Sequence, residues 1–138
     1  MARNRNWHIS ATATNIDSKG FTIHLDSGSD TILFSAAAAW ISYPADKLGV
    51  MGGTLYTKNI QANGLKGDND HGWVKFPVGM FLSEPRVMIA FNSLHVDCKS
   101  SLMLFTGILL VNKDSMNWFI EWAGTNTYSA GVSFIAIA

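Results

Sequence analysis

Hydrophobic and polar residues alternate along the N-terminal part of the chain. Residues 7–14 place apolar side chains at odd positions and polar ones at even positions, and residues 21–26 continue this alternation after a turn-forming cluster at residues 15–20. Because successive side chains of a strand point to opposite faces, both stretches predict β-strands with one buried and one polar face. A second turn is expected at residues 26–30, where Asp, Ser and Gly cluster.

The stretch 31–43 carries two conflicting signals. Its four consecutive alanines, Ala36–Ala39, favour a helix on their own, but β-branched and aromatic residues flank them. We therefore predict a third strand over residues 31–43, ended by Pro44, which cannot donate a hydrogen bond to a sheet.

The remainder of the chain predicts six further strands and no helix. The apolar stretch 101–111 has hydrophobic residues on both faces, which is typical of a strand covered on both sides. Short strands separated by turns predict an all-β fold, an antiparallel β-sandwich of about nine strands. The six strands lie within residues 54–60, 73–76, 86–91, 101–111, 118–122 and 122–138, and a long polar loop covers residues 61–72.

The chain contains an internal repeat. Five residues of the stretch 34–41 match the stretch 128–135 at a constant offset of 94 (128 minus 34), which is unlikely by chance. Residues 51–138 therefore form a complete domain, and residues 1–50 an additional half-repeat of three strands. Such a small sheet cannot bury its own apolar face, so it must pack on the main domain or exchange with another chain. The matched pairs are Phe34/Tyr128, Ser35/Ser129, Ala36/Ala130, Trp40/Phe134 and Ile41/Ile135.

Composition excludes several classes of protein. With a net charge of zero and 14% charged residues, the chain has no basic footprint for nucleic acid. No apolar run approaches the roughly 20 residues of a membrane helix, and the N-terminus lacks the apolar core of a signal peptide. The single Cys98 allows no intrachain disulfide. These features favour a cytoplasmic protein or one secreted by a non-classical route.

Candidate catalytic and metal-binding residues form no recognised motif. The four histidines share no metal-ligand spacing, and no serine lies in a nucleophile elbow. Asp68, Asp70 and His71 resemble a cation-binding loop, but the further acidic ligands of a calcium loop are missing, which favours a solvated loop. We expect no enzyme activity, no cofactor and no metal.

Two segments resemble one known family. The segment 74–87, with Val74, Phe76, Phe81, Pro85 and Val87, is similar to the signature of the H-type lectins, a family that includes the snail agglutinins and the C-terminal domains of discoidins. The ending of the chain, from Trp122 through residues 128–136, is similar to the ending of the same family. Residues 15–21 and 31–41 resemble that ending again.

The resemblance implies a carbohydrate-binding lectin that forms trimers or hexamers and binds galactose or N-acetylgalactosamine between protomers. Trp122 and Tyr128 would stack on the sugar, with Thr125 and Asn126 nearby, and Asp68 or Asp70 would accept a hydrogen bond from it. Two further interpretations stay open. Trp122 continues Trp118 and Ile120 at a spacing of two, as a core residue would, and the sandwich could serve assembly without binding sugar.

The arginine that the family uses for sugar binding is absent from the main domain, where Leu102 stands near its position. In the half-repeat, Asn4 and Arg5 lie roughly where the family has its Asn/Arg pair. A composite site that combines Arg5 with a second set of strands is therefore a possible arrangement.

Overall fold

A computed structural model describes residues 6–28, 30–57, 66–97 and 102–138, with the backbone alone at residues 66–68 and 124–126. These ranges contain strands and turns, and within them no helix is long and apolar enough to cross a membrane. The seven strands are β1 (Trp7–Thr14), β2 (Thr22–Ser27), β3 (Val50–Tyr56), β4 (Lys66–Lys75), β5 (Arg86–Val96), β6 (Met103–Val111) and β7 (Ser115–Ile137).

All of the strand pairs are antiparallel, and they form two sheets that share β7. Sheet A has the strand order β2-β1-β5-β7-β3. In sheet B, β7 lies between β4 and β6. The all-β antiparallel sandwich predicted from the sequence is therefore confirmed, with seven described strands instead of about nine; the two last predicted strands are a single strand of 23 residues.

Strand β7 supplies most of the core because both of its halves bury alternate side chains. The side chains that β7 contributes to the core clusters are at even positions, from Met116 to Trp122 in sheet B and from Ala130 to Ala136 in sheet A. Partly buried residues of β3, β4, β5 and β6 pack against these side chains from both sheets. The period-two pattern of β7 thus fixes which faces of the two sheets meet.

The N-terminal half-repeat extends sheet A. Strands β1 and β2 form an antiparallel pair, and β1 is bonded to β5 through four residue pairs, from Trp7↔Val96 to Ser10↔Ser93. This short ladder is the strand pairing that joins β1 and β2 to the rest of the described chain.

The predicted third strand over residues 31–43 is wrong. After a turn closed by the bond from Thr31 N to the Gly28 carbonyl, the segment runs without strand pairing. Its counterpart in the repeat is bonded to β5 on one side and to β3 on the other, whereas no described strand offers either partner to residues 31–43. The consequence is visible in Trp40, which is 60% exposed, while its counterpart Phe134 is 6% exposed.

Two other expectations also need correction. Residues 66–72 of the predicted polar loop belong to β4 and pair with β7; the rest of that loop, from 61 to 65, lies outside the described residues. The outward face of β6, which the sequence predicts to be covered, is open in the single chain, where Phe105 and Leu110 are each about half exposed.

Replacing Ile120, which is fully buried between the sheets, with alanine should lower the free energy of unfolding by about 2–5 kcal/mol, because the cavity adds to the lost transfer free energy. Leu82→Ala, at a 94% exposed position, should change it by less than about 0.5 kcal/mol. Urea denaturation followed by tryptophan fluorescence measures both. Equal losses in the two variants would contradict this assignment of the core.

Candidate functional site

Tyr128 is the extra residue of a β-bulge. On β7, Thr127 pairs with Val96 and Ser129 pairs with His95, so Tyr128 has no register partner on β5. A bulge of this kind turns a side chain away from the face that simple alternation would give it. The bulge explains why Tyr128 reaches His95 while Thr127 beside it is fully buried.

Three aromatic rings form a row across sheet A, on the strands β7, β5 and β1. The ring centroids of Tyr128 and His95 are 4.8 Å apart with a tilt of 42°. The imidazoles of His95 and His8 stack at 4.5 Å with an interplanar angle of 13°. His8 and His95 are direct register partners, so the β1–β5 ladder holds them in this position. We call Tyr128, His95 and His8 the aromatic row.

Backbone contacts around the turn after β2 fix the position of His8. The Thr31 hydroxyl accepts a hydrogen bond from the backbone N–H of His8 at 2.8 Å and donates one to the carbonyl of Asn6 at 2.9 Å. The N–H of Gly28 donates to the His8 carbonyl. Gly28 also lies against the His8 imidazole so closely that a Cβ at this position would overlap the ring.

Burial and charge act together on His95. Its partial burial lowers the pKa of the imidazole below the usual value, because the protonated ring would lose hydration, and the neighbouring His8 lowers it further. Asp30 opposes this effect by favouring the charged form. The net direction is downward, so the row favours a neutral His95, which offers one ring nitrogen as donor and the other as acceptor.

The cross-strand level next to the aromatic row carries two unsatisfied polar atoms on its core side. Trp7 Nε1 and Thr127 Oγ1 are buried without a hydrogen-bond partner among the described residues. Trp7, Val96 and Thr127 share one level of the sheet, adjacent to the aromatic row. A buried unpaired polar group costs about 1–3 kcal/mol of folding free energy. These two atoms therefore reduce the stability of this end of sheet A.

The structure separates the residues that the resemblance assigned to the site. Trp122 is 4% exposed and packs in the core with Trp118 and Ile120, so its ring faces are not accessible to a sugar in this chain. The backbones of Thr125 and Asn126 belong to β7 between Trp122 and Tyr128. Of the expected aromatic pair, Tyr128 alone is partly exposed.

The expected acidic residues lie on β4, beside the first half of β7. Asp68 pairs with Trp122 and Asp70 with Ile120 in sheet B. Eight residues separate Ile120 from Tyr128, which corresponds to about 26 Å along an extended strand at roughly 3.3 Å per residue. Asp70 therefore does not join Tyr128 in one site within the chain.

Asn4 and Arg5 lie outside the described residues. They precede Trp7 and His8 in the sequence, and β1 is separated from the Tyr128 strand, β7, by β5 alone. A composite site that combines the N-terminal arm with β7 remains a prediction.

Sequence reasoning missed His8 and His95, because it tested the histidines only for metal-ligand spacing. The signal for His8 is weak: it lies on the polar face of an alternating strand. His95 lies beyond the predicted strand 86–91 and is near the end of the longer observed strand β5. What brings them together is the β1–β5 register, which depends on where the half-repeat docks. No group of three or more His, Cys, Asp or Glu side chains that could hold a metal ion occurs in the described part of the chain.

The aromatic row combines flat ring faces with polar tips. The phenol of Tyr128 can hold an apolar surface by stacking, and the phenol and the two imidazoles can exchange hydrogen bonds at their edges. This combination suits a neutral ligand that carries both hydroxyl groups and a C–H face.

Comparison with known proteins agrees with this chemistry. The sequence model of one protein family, described as the H-type lectin domain, matches residues 1–43 and 73–137, together more than half of the chain. The two matched stretches correspond to the half-repeat and to most of the main domain. No curated protein shows a significant match to the chain.

Gly28→Ala should disturb the aromatic row, because the added methyl group would overlap the His8 imidazole and force it to move. We expect a loss of about 1–3 kcal/mol in unfolding free energy and a clear change in the imidazole proton shifts of His8 and His95, measured by NMR. Ser27→Ala, at the exposed neighbouring position, is the control and should leave the shifts unchanged. Unaltered imidazole shifts in the glycine variant would show that the ring does not lie against Gly28.

Proposed function

Because the chain belongs to the H-type lectin family, we propose that it is a non-catalytic carbohydrate-binding protein that recognises galactose or N-acetylgalactosamine through the aromatic row. The observation that carries this proposal is the bulge at Tyr128, which places a phenol ring against His95 on the side of the strand away from the core.

The proposed mode of binding follows from the properties of the rings. A galactose-type sugar has one face of clustered C–H groups, which can lie on the ring of Tyr128. Its hydroxyl groups can then exchange hydrogen bonds with the phenol and with the neutral imidazole of His95. Trp122 has no part in this contact, since it lies in the core. Asn4 and Arg5, which precede β1, are proposed to complete the site.

We further propose that the protein is an oligomer, a trimer or hexamer by family resemblance. Two apolar surfaces support this. One is the apolar face of sheet B, formed by Trp73, Phe105 and Leu110, which are 58%, 51% and 52% exposed. Trp73 and Leu110 flank Asn117 at the same cross-strand level, so these residues lie on one face of the sheet. Exposed apolar surface of this kind is typical of interaction sites.

The second surface is the unpaired segment 31–43. Trp40 is 60% exposed there, although its counterpart in the repeat, Phe134, lies inside a two-sided strand ladder, and Phe34 is 80% exposed. An extended segment with unpaired backbone groups can accept a strand from another chain. Several weak sugar sites in one assembly would then act together and raise the overall affinity for a glycan surface.

The burial of Trp122 favours a second function for this protein. With this residue buried and Leu102 near the expected arginine position, the sandwich could act in assembly alone and have no affinity for sugars. The two functions predict different results for one measurement: a lectin binds galactose-terminated glycans, and a protein that acts in assembly alone does not.

Tyr128→Ala should weaken binding to a galactose- or N-acetylgalactosamine-terminated glycan by about tenfold or more, because the stacking surface is lost. Tyr56→Ala, at an exposed tyrosine on β3, should bind as the native chain does. Glycan arrays followed by titration calorimetry measure the effect, with circular dichroism to confirm folding. If the native chain binds none of these glycans while it still assembles, the assembly function replaces the lectin.

The double variant Phe105→Ser, Leu110→Ser should reduce the oligomer to a monomer, since both changes place hydroxyl groups on the apolar face of sheet B. Light scattering coupled to gel filtration should give the native protein a multiple of the 15.1 kDa chain mass. Leu82→Ser, at an exposed position outside the strands, should keep the native mass. A native chain that stays monomeric at all concentrations would refute the proposed oligomer.

A further inference from the structure

The ladder between β1 and β5, which joins two parts of the molecule, contains a stacked pair of histidines. It consists of four residue pairs, and one of the two central pairs is His8↔His95. The imidazoles lie nearly parallel at 4.5 Å. Since β2 pairs with β1 and with no other described strand, the attachment of the β1–β2 pair to sheet A depends on this ladder.

We propose that the stacked His8–His95 pair makes the attachment of the half-repeat acid-sensitive, so that β1 and β2 separate from β5 when His95 becomes protonated. In the attached state a protonated His95 would be partly buried and stacked on the His8 ring at 4.5 Å, and strand separation returns its charge to water. When β1 moves away, the aromatic row loses His8, and the stack on His95 is broken.

The charged and titratable groups around the pair agree with this direction. His8 comes from β1, Tyr128 from β7 and Asp30 from the turn after β2. Asp30 is the group that favours a protonated His95, and burial together with His8 outweighs it, so that the pKa of His95 in the attached state lies below the usual value.

The sign of the effect follows from linkage. Above the usual imidazole pKa of about 6.5, His95 is neutral in both the attached and the separated states, and the attachment has its full strength. As the pH falls below this value, the separated state takes up a proton more readily than the attached one. Attachment therefore weakens toward acid pH, by up to about tenfold in the equilibrium constant per pH unit for one linked proton.

Hydrogen–deuterium exchange of the full chain tests the inference without any sugar. After correction for the intrinsic rate, the amides of β1 should exchange faster at about pH 5.5 than at about pH 7.5, by up to about tenfold. Those of β6, within the sandwich, should keep their protection. His95→Gln should remove the pH dependence in β1, while His71→Gln, at an exposed position on β4, should retain it.

Two results would overturn the inference: equal protection of β1 at both pH values, or a pH dependence that persists in His95→Gln. His8→Gln serves as a second variant, should the first fail to fold. A fall in glycan binding at acid pH is an additional expectation that rests on the proposed function. Because the exchange experiment contains no glycan, failure of the lectin proposal and failure of this inference can be told apart.

Discussion

The continuous hydrogen bonding of β7 is the constraint on which the other elements depend. This strand has a neighbour on each side in both sheets: it pairs with β4 and β6 over its first half and with β5 and β3 over its second. Its alternate side chains form the buried layer between the sheets. A strand that changes sheet must alter the direction of its side chains, and the bulge at Tyr128 lies just after that change. The bulge that follows the change from sheet B to sheet A thus turns the side chain of Tyr128 away from the core.

The half-repeat illustrates how one sequence pattern gives two outcomes. Residues 34–41 and 128–135 have similar side chains, but only the C-terminal copy lies between two partner strands, from Gly131 onward. An isolated strand gains no ladder hydrogen bonds, and its apolar side chains stay in contact with water. Phe134 is therefore buried, while Trp40 makes an edge-on contact with Phe21 and is otherwise largely exposed. The chain carries apolar surface that a single copy does not cover.

The aromatic row links the two parts of the molecule to the proposed function. Tyr128 belongs to the sandwich and His8 to the half-repeat, and His95 contacts both. A ligand bound along this row would contact both parts and would favour their attachment, by the same linkage that makes protonation oppose it. Sugar affinity and attachment of β1 are then two measurements of one coupled equilibrium.

The sequence by itself determined the fold class, the internal repeat and the family, because strand periodicity, turn chemistry and motif order are local properties of the chain. It also singled out Tyr128. The tertiary structure alone decided that Trp122 lies in the core, that residues 31–43 stay unpaired, and that His8 meets His95. The reason is physical: whether a strand residue is buried or exposed depends on which other strands lie beside it, and residues 87 positions apart in the chain become neighbours only through the register of β1 on β5.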